Sequence, residues 1–269
     1  MTDRYAVIGH PISHSKSPAI HNAFARATQQ DLHYEAVEVP AGTLADALKR
    51  LHDEGLRGVN VTQPHKAEAA TLCETTSERA QLAGATNTLI RTDTGWRGDN
   101  TDGEGLIRDL ARLAYAIEGR NVLVLGAGGA VCGVLAPLLA ARPASLTVSN
   151  RNPWKPEKLA EQFRAIGAVT PRTHMTLKGF QFDLVINATS AGYSGQMPRL
   201  PADIVADGGA CYDLSYGDAH APFRAWAEAQ GATRIADGLG MLVEQAAAAF
   251  ALWRGVRPET GAVLASLRA

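Results

Sequence analysis

Between Asn121 and Ala141 the chain runs for 21 residues without a charged side chain. On count alone such a stretch is long enough for a membrane span. Its interior argues otherwise: Val122-Leu123-Val124-Leu125 is apolar and rich in β-branched residues, Gly126-Ala127-Gly128-Gly129 is a turn, and Val134 to Ala141 reads as helix. Strand, glycine turn and helix in that order make a βα unit, and no membrane role is expected.

The same alternation runs through most of the sequence, which is the pattern of an α/β chain with mostly parallel sheets. In the first hundred residues, strands are expected at Tyr5–Gly9, Tyr34–Val39, Gly58–Thr62, Asn87–Arg91 and Gly95–Gly98, with helices near Pro18–Thr28 and Thr43–Glu54. Thr101-Asp102-Gly103-Glu104 has the form of a capping box, with an apolar stripe of Leu106, Ile107, Leu110, Leu113 and Ala114 behind it. A second series follows, with strands at Asn121–Leu125, Ser145–Ser149, Leu184–Asn187 and Ala210–Leu214, a helical stretch around Glu157–Ile166 and a long helix at Leu239–Arg254. A domain boundary is placed near residue 101, and Asp237-Gly238 reads as a hinge.

At 269 residues the chain suits two modest domains or one large one. Twenty-six Lys plus Arg against 27 Asp plus Glu leave a net charge of -1 and no basic block, so no nucleic-acid partner is expected. Cys73, Cys132 and Cys211 are odd in number and lack CxxC spacing, which disfavours a disulfide framework or a zinc knuckle. His10 and His14 sit four apart, but Pro11 spoils a shared helical face, and no metal site is expected. Met1 to Tyr5 lack the basic start and apolar stretch of a signal peptide, so the expected location is cytoplasmic.

Gly126 to Val131 follow a buried-type strand and open a helix, where backbone N–H groups and the positive helix end can hold a pyrophosphate. The next strand ends at Asn150-Arg151-Asn152, about where a dinucleotide fold places an acid on the ribose 2'-hydroxyl of NAD. No acid stands there. Arg151 and Lys155 are cationic beside a neutral Asn150, so the expected cofactor is NADP, whose 2'-phosphate they suit.

Two further segments carry chemistry. Ser15 and Ser17 lie in a loop leading into a helix; Ser17 before Pro18 makes a good N-cap, and the two hydroxyls together suit a carboxylate. Asn60 to Lys66 end a strand and begin a helix, which sets the cationic Lys66 in a first turn, a setting suited to a residue that exchanges a proton. Asp102 is equally explained as an acid at a helix start, and 36 residues separate it from Lys66 with nothing local to show that they meet.

Taken together, these motifs give a chain that resembles the shikimate dehydrogenase family. The segments that carry the resemblance stand in order: Ser15-Lys16-Ser17-Pro18, Asn60 to Lys66, Ala85-Thr86-Asn87-Thr88, Gly98 to Asp102, Gly126 to Ala130, Asn150-Arg151, Asn187 to Ser190, Tyr212-Asp213-Leu214 and Asp237 to Leu242. The resemblance implies an α/β chain of two domains: a discontinuous substrate-binding domain, 1–101 with 238–269, and a Rossmann-type NADP-binding domain, 102–237. It implies reversible NADPH-dependent reduction of 3-dehydroshikimate to shikimate, in aromatic amino acid biosynthesis; the resemblance leaves monomer and homodimer both open. Lys66 and Asp102 are then the catalytic pair. Ser15, Ser17 and Tyr216 hold the carboxylate of the substrate, and Thr62, Asn87 and Gln245 contact its hydroxyls. Gly126, Ala127, Gly128, Gly129, Ala130, Asn150, Arg151, Lys155, Thr189, Leu214 and Gly238 face the cofactor. Val131, Cys132 and the Asn152-Pro153-Trp154 run depart from the family pattern, at the adenosine end. The alternatives are a quinate/shikimate dehydrogenase that also uses NAD, and a non-catalytic NADP-binding module.

Overall fold

The computed structural model describes residues 2–269, which form two compact units. The first comprises the chain to Gly105 and Leu242–Ala269; the second is Leu106–Met241. Each divide lies inside a helix, a few residues beyond the capping and hinge signals at 101 and 237, because the helices run on past those signals.

In the first unit the strands are β1 (Asp3–Gly9), β2 (Leu32–Glu38), β3 (Gly58–Val61), β4 (Thr75–Thr76), β5 (Thr88–Arg91) and β6 (Trp96–Asp99). Their order in the sheet is β2-β1-β3-β5-β6-β4. β1 runs parallel to β2 and β3, whose links to it pass through α1 (Ser17–Ala27) and α2 (Leu44–Asp53). β5 is antiparallel to both β3 and β6. The tight turn at Thr92–Gly95, closed by Thr92 N–H to Gly95 C=O at 3.0 Å, permits only a hairpin between β5 and β6. α3 (Lys66–Leu72) and α4 (Glu78–Ala83) fill the connections around β4. Ile8, Leu44, Leu48, Leu51, Val59 and Leu89 form much of one core, the amphipathic α2 closing on the sheet as its apolar spacing dictates.

In the second unit the sheet is all parallel, ordered β12-β11-β10-β7-β8-β9. Its strands are β7 (Asn121–Leu125), β8 (Ser145–Ser149), β9 (Thr170–Arg172), β10 (Phe182–Asn187), β11 (Val205–Asp213) and β12 (Arg234–Ala236). Strand order therefore reverses at β7 and β10, and a doubly wound sheet binds its ligand beside the carboxyl ends of strands at such a reversal. α5 (Asp102–Arg112) leads into this unit, with α6 (Gly129–Ala140), α7 (Trp154–Gln162) and α8 (Ala221–Ala229) as its helices. α7 starts at Trp154, three residues before the expected stretch, after Pro153 at its N-cap.

α9 (Leu239–Arg254) leaves the second unit after Met241 and buries Val243, Ala246, Ala247, Ala249 and Phe250 completely in the first. Trp253 donates its indole N–H to the Leu89 carbonyl at 2.9 Å and lies over Gly58, where a Cβ would come within 2.3 Å of the indole nitrogen. Gly58 is thus what lets the helix seat. α10 (Gly261–Arg268) follows. Among the described residues, no helix is long and apolar enough to cross a membrane.

Candidate active site

In the first unit, three loops meet at the carboxyl ends of β1 and β3. His10 N–H bonds the Gln63 carbonyl at 3.1 Å, tying the loop after β1 to the loop after β3, and Thr86 N–H bonds the Lys66 carbonyl at 2.8 Å, bringing in the approach to β5. Gly9 permits the first approach: a Cβ there would lie 2.5 Å from the Thr62 methyl and 3.0 Å from the Gln63 carbonyl oxygen. Ser15, Ser17, Thr62, Lys66 and Asn87 are carried by these loops.

Lys66 is the first residue of α3, and its Nζ donates to Asp102 Oδ2 at 2.5 Å. Asp102 is the first residue of α5 and is 5% exposed. Its other oxygen, Oδ1, accepts from Asn87 Nδ2 at 2.8 Å, so both oxygens act as acceptors. The Lys66 side chain keeps 22% of its surface, enough to reach a ligand and solvent. Thirty-six residues apart in sequence, the two form one ion pair in space.

Gln245, on α9, completes the cluster: its Oε1 lies 3.2 Å from Asn87 Nδ2 and 3.4 Å from Thr101 Oγ1. An ionic lattice holds this end of α9 to the first unit. Arg79 donates Nε to Asp99 Oδ1 at 2.6 Å and Nη1 to Glu104 Oε2 at 2.9 Å; Arg257 bridges Glu104 and Glu244, next to Gln245; Thr260 bonds Glu244. Burial pushes the Asp99 and Glu104 carboxyls up, but the guanidinium donors outweigh it and hold both below their ordinary values.

Ser17 differs from its expected capping role. α1 has Lys16 at its N-cap with no side-chain cap bond, and Ser17 is the first helical residue. Instead Ser15 Oγ accepts from Ser17 N–H at 3.3 Å, because the loop delivers Ser15 rather than Ser17 over the helix end. That bond keeps the two serines adjacent. Thr62 sits at the end of β3 with its N–H on the Ile8 carbonyl. Tyr216 belongs to the second unit, half-buried in the loop after β11, where burial raises its phenol pKa.

The second unit gathers the glycine loop and its companions at the carboxyl ends of its strands. Gly126 has φ +106°, and a Cβ on it would approach the Ala188 carbonyl oxygen to 2.9 Å. Only glycine serves there. Gly128 and Gly129, by contrast, face open space where a Cβ would stand, and α6 begins at Gly129 with no side-chain cap. An uncapped N-terminus of a 12-residue helix, fronted by bare backbone, offers free N–H groups that could hold a phosphate. Ala127 and Ala130 flank it, half-buried, and Val131 is fully buried beneath. Asn150 is half-buried after β8, while Arg151 and Lys155 are exposed, Lys155 in the first turn of α7. No acid stands between them. Thr189 donates both its N–H and its hydroxyl to Asn187 Oδ1. Gly238 packs on Leu214 so closely that a Cβ would fall 2.2 Å from the Leu214 carbonyl oxygen.

Sequence reasoning missed Asn60 and Thr88, which stand behind Asn87, and the Arg79 lattice. Asn60 and Thr88 lay within quoted segments; Arg79, between Glu78 and Ala80, gave no signal. Among the described residues, no group of three His, Cys, Asp or Glu could hold a metal ion.

Known proteins share this layout. Residues 7–89 match the shikimate dehydrogenase substrate binding domain, residues 109–194 the shikimate / quinate 5-dehydrogenase family and residues 238–268 the shikimate 5'-dehydrogenase C-terminal domain. The shikimate dehydrogenase (NADP(+)) of Thioalkalivibrio sulfidiphilus is 54% identical over 99% of this chain and 98% of its own. The crystal structure of the Ael1 enzyme from Pseudomonas putida is 45% identical with a TM-score of 0.92, covering 99% of this chain and 98% of that one. The shikimate 5-dehydrogenase of Thermus thermophilus, solved in complex with NADP(H) and shikimate, is 33% identical with a TM-score of 0.86, covering 99% of both chains.

Proposed function

The chain belongs to the shikimate dehydrogenase family, and from that premise we propose that it catalyses the reversible NADPH-dependent reduction of 3-dehydroshikimate to shikimate, a step of aromatic amino acid biosynthesis. The observation that carries the reading is the Lys66–Asp102 ion pair, with Asn87 and Gln245 beside it.

NADPH, when bound, supplies the hydride. The residues fit it: the open backbone at Gly128 and Gly129 and the uncapped end of α6 suit the pyrophosphate, and Arg151 with Lys155 suit the 2'-phosphate. Ala127 and Ala130 flank that cradle, Asn150 faces the adenosine, and Thr189, Leu214 and Gly238 serve the rest of the cofactor.

At the substrate, reduction places negative charge on the ketone oxygen. The Lys66 ammonium stabilises that charge and donates the proton, leaving a neutral amine; in oxidation that amine takes the proton of the hydroxyl and becomes the ammonium again. Asp102, accepting from Lys66 and Asn87 at once, fixes the ammonium without taking its proton. Ser15 and Ser17 hold the substrate carboxylate, and Thr62, Asn87 and Gln245 pair with ring hydroxyls. Neutral donors and acceptors suit a polyhydroxylated ring, since an analogue lacking a hydroxyl leaves a protein group unpaired. The assignment of the first unit to substrate and the second to NADP, and a cytoplasmic enzyme with small molecules as its partners, belong to the same proposal.

Initial rates of shikimate oxidation, with NADP and NAD titrated separately and quinate in parallel, test it. Strong preference for NADP and shikimate is the expected result. Preference for NAD would overturn the role of Arg151 and Lys155, and no turnover at micromolar enzyme would favour a binding module.

A further inference from the structure

Behind the catalytic pair runs a line of hydrogen bonds that all point one way. Tyr34 donates its hydroxyl to Asn60 Oδ1 at 2.7 Å. Asn60 Nδ2 donates to Thr88 Oγ1 at 3.1 Å, Thr88 Oγ1 donates to Asn87 Oδ1 at 2.8 Å, and Asn87 Nδ2 donates to Asp102 Oδ1 at 2.8 Å. Asp102 then accepts from Lys66. Tyr34, Asn60, Thr88 and Asn87 are each at most 6% exposed, so each polar group there needs its partner.

The direction of the line is not a matter of choice. Asn60 Nδ2 also faces the Asn87 backbone carbonyl at 3.0 Å, which can only accept, so the Asn60 oxygen must turn toward Tyr34. Thr101 N–H, which can only donate, lies 2.8 Å from Asn87 Oδ1, so the Asn87 nitrogen must turn toward Asp102. Thr88, with one proton, joins the two anchored amides. Tyr34 keeps its proton because burial raises its pKa well above the ordinary value, and His21, stacked on it at 4.2 Å, is kept neutral by burial. No ionised group intrudes on the line before Asp102.

We infer that Tyr34, Asn60 and Thr88 are positioning residues for the proposed reaction: through their one-way hydrogen bonds they lock the Asn87 amide, and Asn87 in turn locks the Asp102 carboxylate that holds Lys66. None of the three need touch substrate; they set the group that sets the proton donor. The inference rests on the functional reading above, since it gives Lys66 that task.

Thr88→Val keeps the shape and removes the joint, Thr88→Ser restores the hydroxyl, and Tyr34→Phe removes the far donor. Two readouts are taken on the full-length protein: kcat and KM for shikimate, and the rate at which acetic anhydride labels Lys66, followed by peptide mass spectrometry with exposed Lys178 as internal standard. The labelling needs no substrate. Expected for Thr88→Val are a kcat lower by about tenfold, a KM changed by less than about threefold, and Lys66 labelled about threefold faster as its partner loosens. Tyr34→Phe moves both in the same direction by about threefold, and Thr88→Ser stays within about twofold of the parent. Parent-like kcat and labelling in Thr88→Val would overturn the inference, as would a loss that Thr88→Ser does not recover. Should Thr88→Val fail to fold, parent-like behaviour of Tyr34→Phe in both readouts overturns it equally. A parent that labels as described but does not oxidise shikimate would overturn the functional reading alone.

Discussion

Asp102 shows how much one atom can decide. Replacing it with Asn preserves size but gives the amide an NH2 that must face either the Lys66 ammonium or the Asn87 amide nitrogen, donor against donor in both cases. Asp102→Asn and Lys66→Ala are each expected to lower kcat by on the order of a hundredfold or more while leaving NADP affinity within about twofold. Steady-state rates and a fluorescence titration of NADP check the two halves. Turnover retained in Lys66→Ala would remove Lys66 as the acid and base. At this scale the sequence was informative about types and silent about meetings: the first-turn placement of Lys66 is visible in a strand–loop–helix pattern, but its pairing with Asp102 is not. Asn87 and Gln245 meet across 158 residues, a separation no local pattern reports. The Ser17 cap shows the opposite failure, where a sound local rule lost to the path of the loop before it.

Among the elements, the strand series and the glycine turn were legible because period and turn chemistry are local. α4, α8, α10, β4, β9 and β12 were not, being short segments of two to nine residues held by what they pack on. The helices around Gln245 illustrate the point: Arg79, Asp99, Glu104, Arg257 and Glu244 come from separate stretches of chain and become a lattice only in three dimensions. That lattice has a pH signature. Asp99 and Glu104 have folded-state pKa values below their unfolded ones, so their contribution is fully present above the unfolded values, near pH 4, and is lost as pH falls through the folded values. Arg79→Met leaves Asp99 buried without its main partner. The expected loss, discounted because Arg79 itself is about a third exposed, is about 2 kcal/mol, or roughly 5 °C in Tm near neutrality. The gap between parent and variant should start to narrow near pH 4 and go on narrowing as pH falls toward the lower folded-state values, through which the parent's two carboxyls become protonated. Thermal melts from pH 7 to pH 3 decide it, and a gap constant with pH would mean that Arg79 acts by packing alone.

For the whole molecule, the division of labour is the question that hydrogen exchange answers. The Lys66–Asp102–Asn87–Gln245 cluster uses residues from both ends of the chain within one unit, while the glycine loop, Arg151 and Lys155, and the Leu214–Gly238 approach lie within the other. A ligand that binds only the folded state protects the segments that must open to release it, by about 2.7 kcal/mol at a hundredfold excess over Kd. Shikimate alone should therefore slow exchange at 15–20, 62–69, 86–88, 102–105 and 245–249, and NADP alone at 126–133, 150–155 and 188–190. The peptide covering 212–217 is the informative one, because Tyr216 is carried by the second unit yet assigned to the substrate carboxylate. Slowing of that peptide by shikimate in the absence of NADP supports the assignment. Slowing by NADP only would move Tyr216 to the cofactor side and leave the carboxylate to Ser15 and Ser17, which the Ser17 N–H to Ser15 Oγ bond already holds side by side in the first unit.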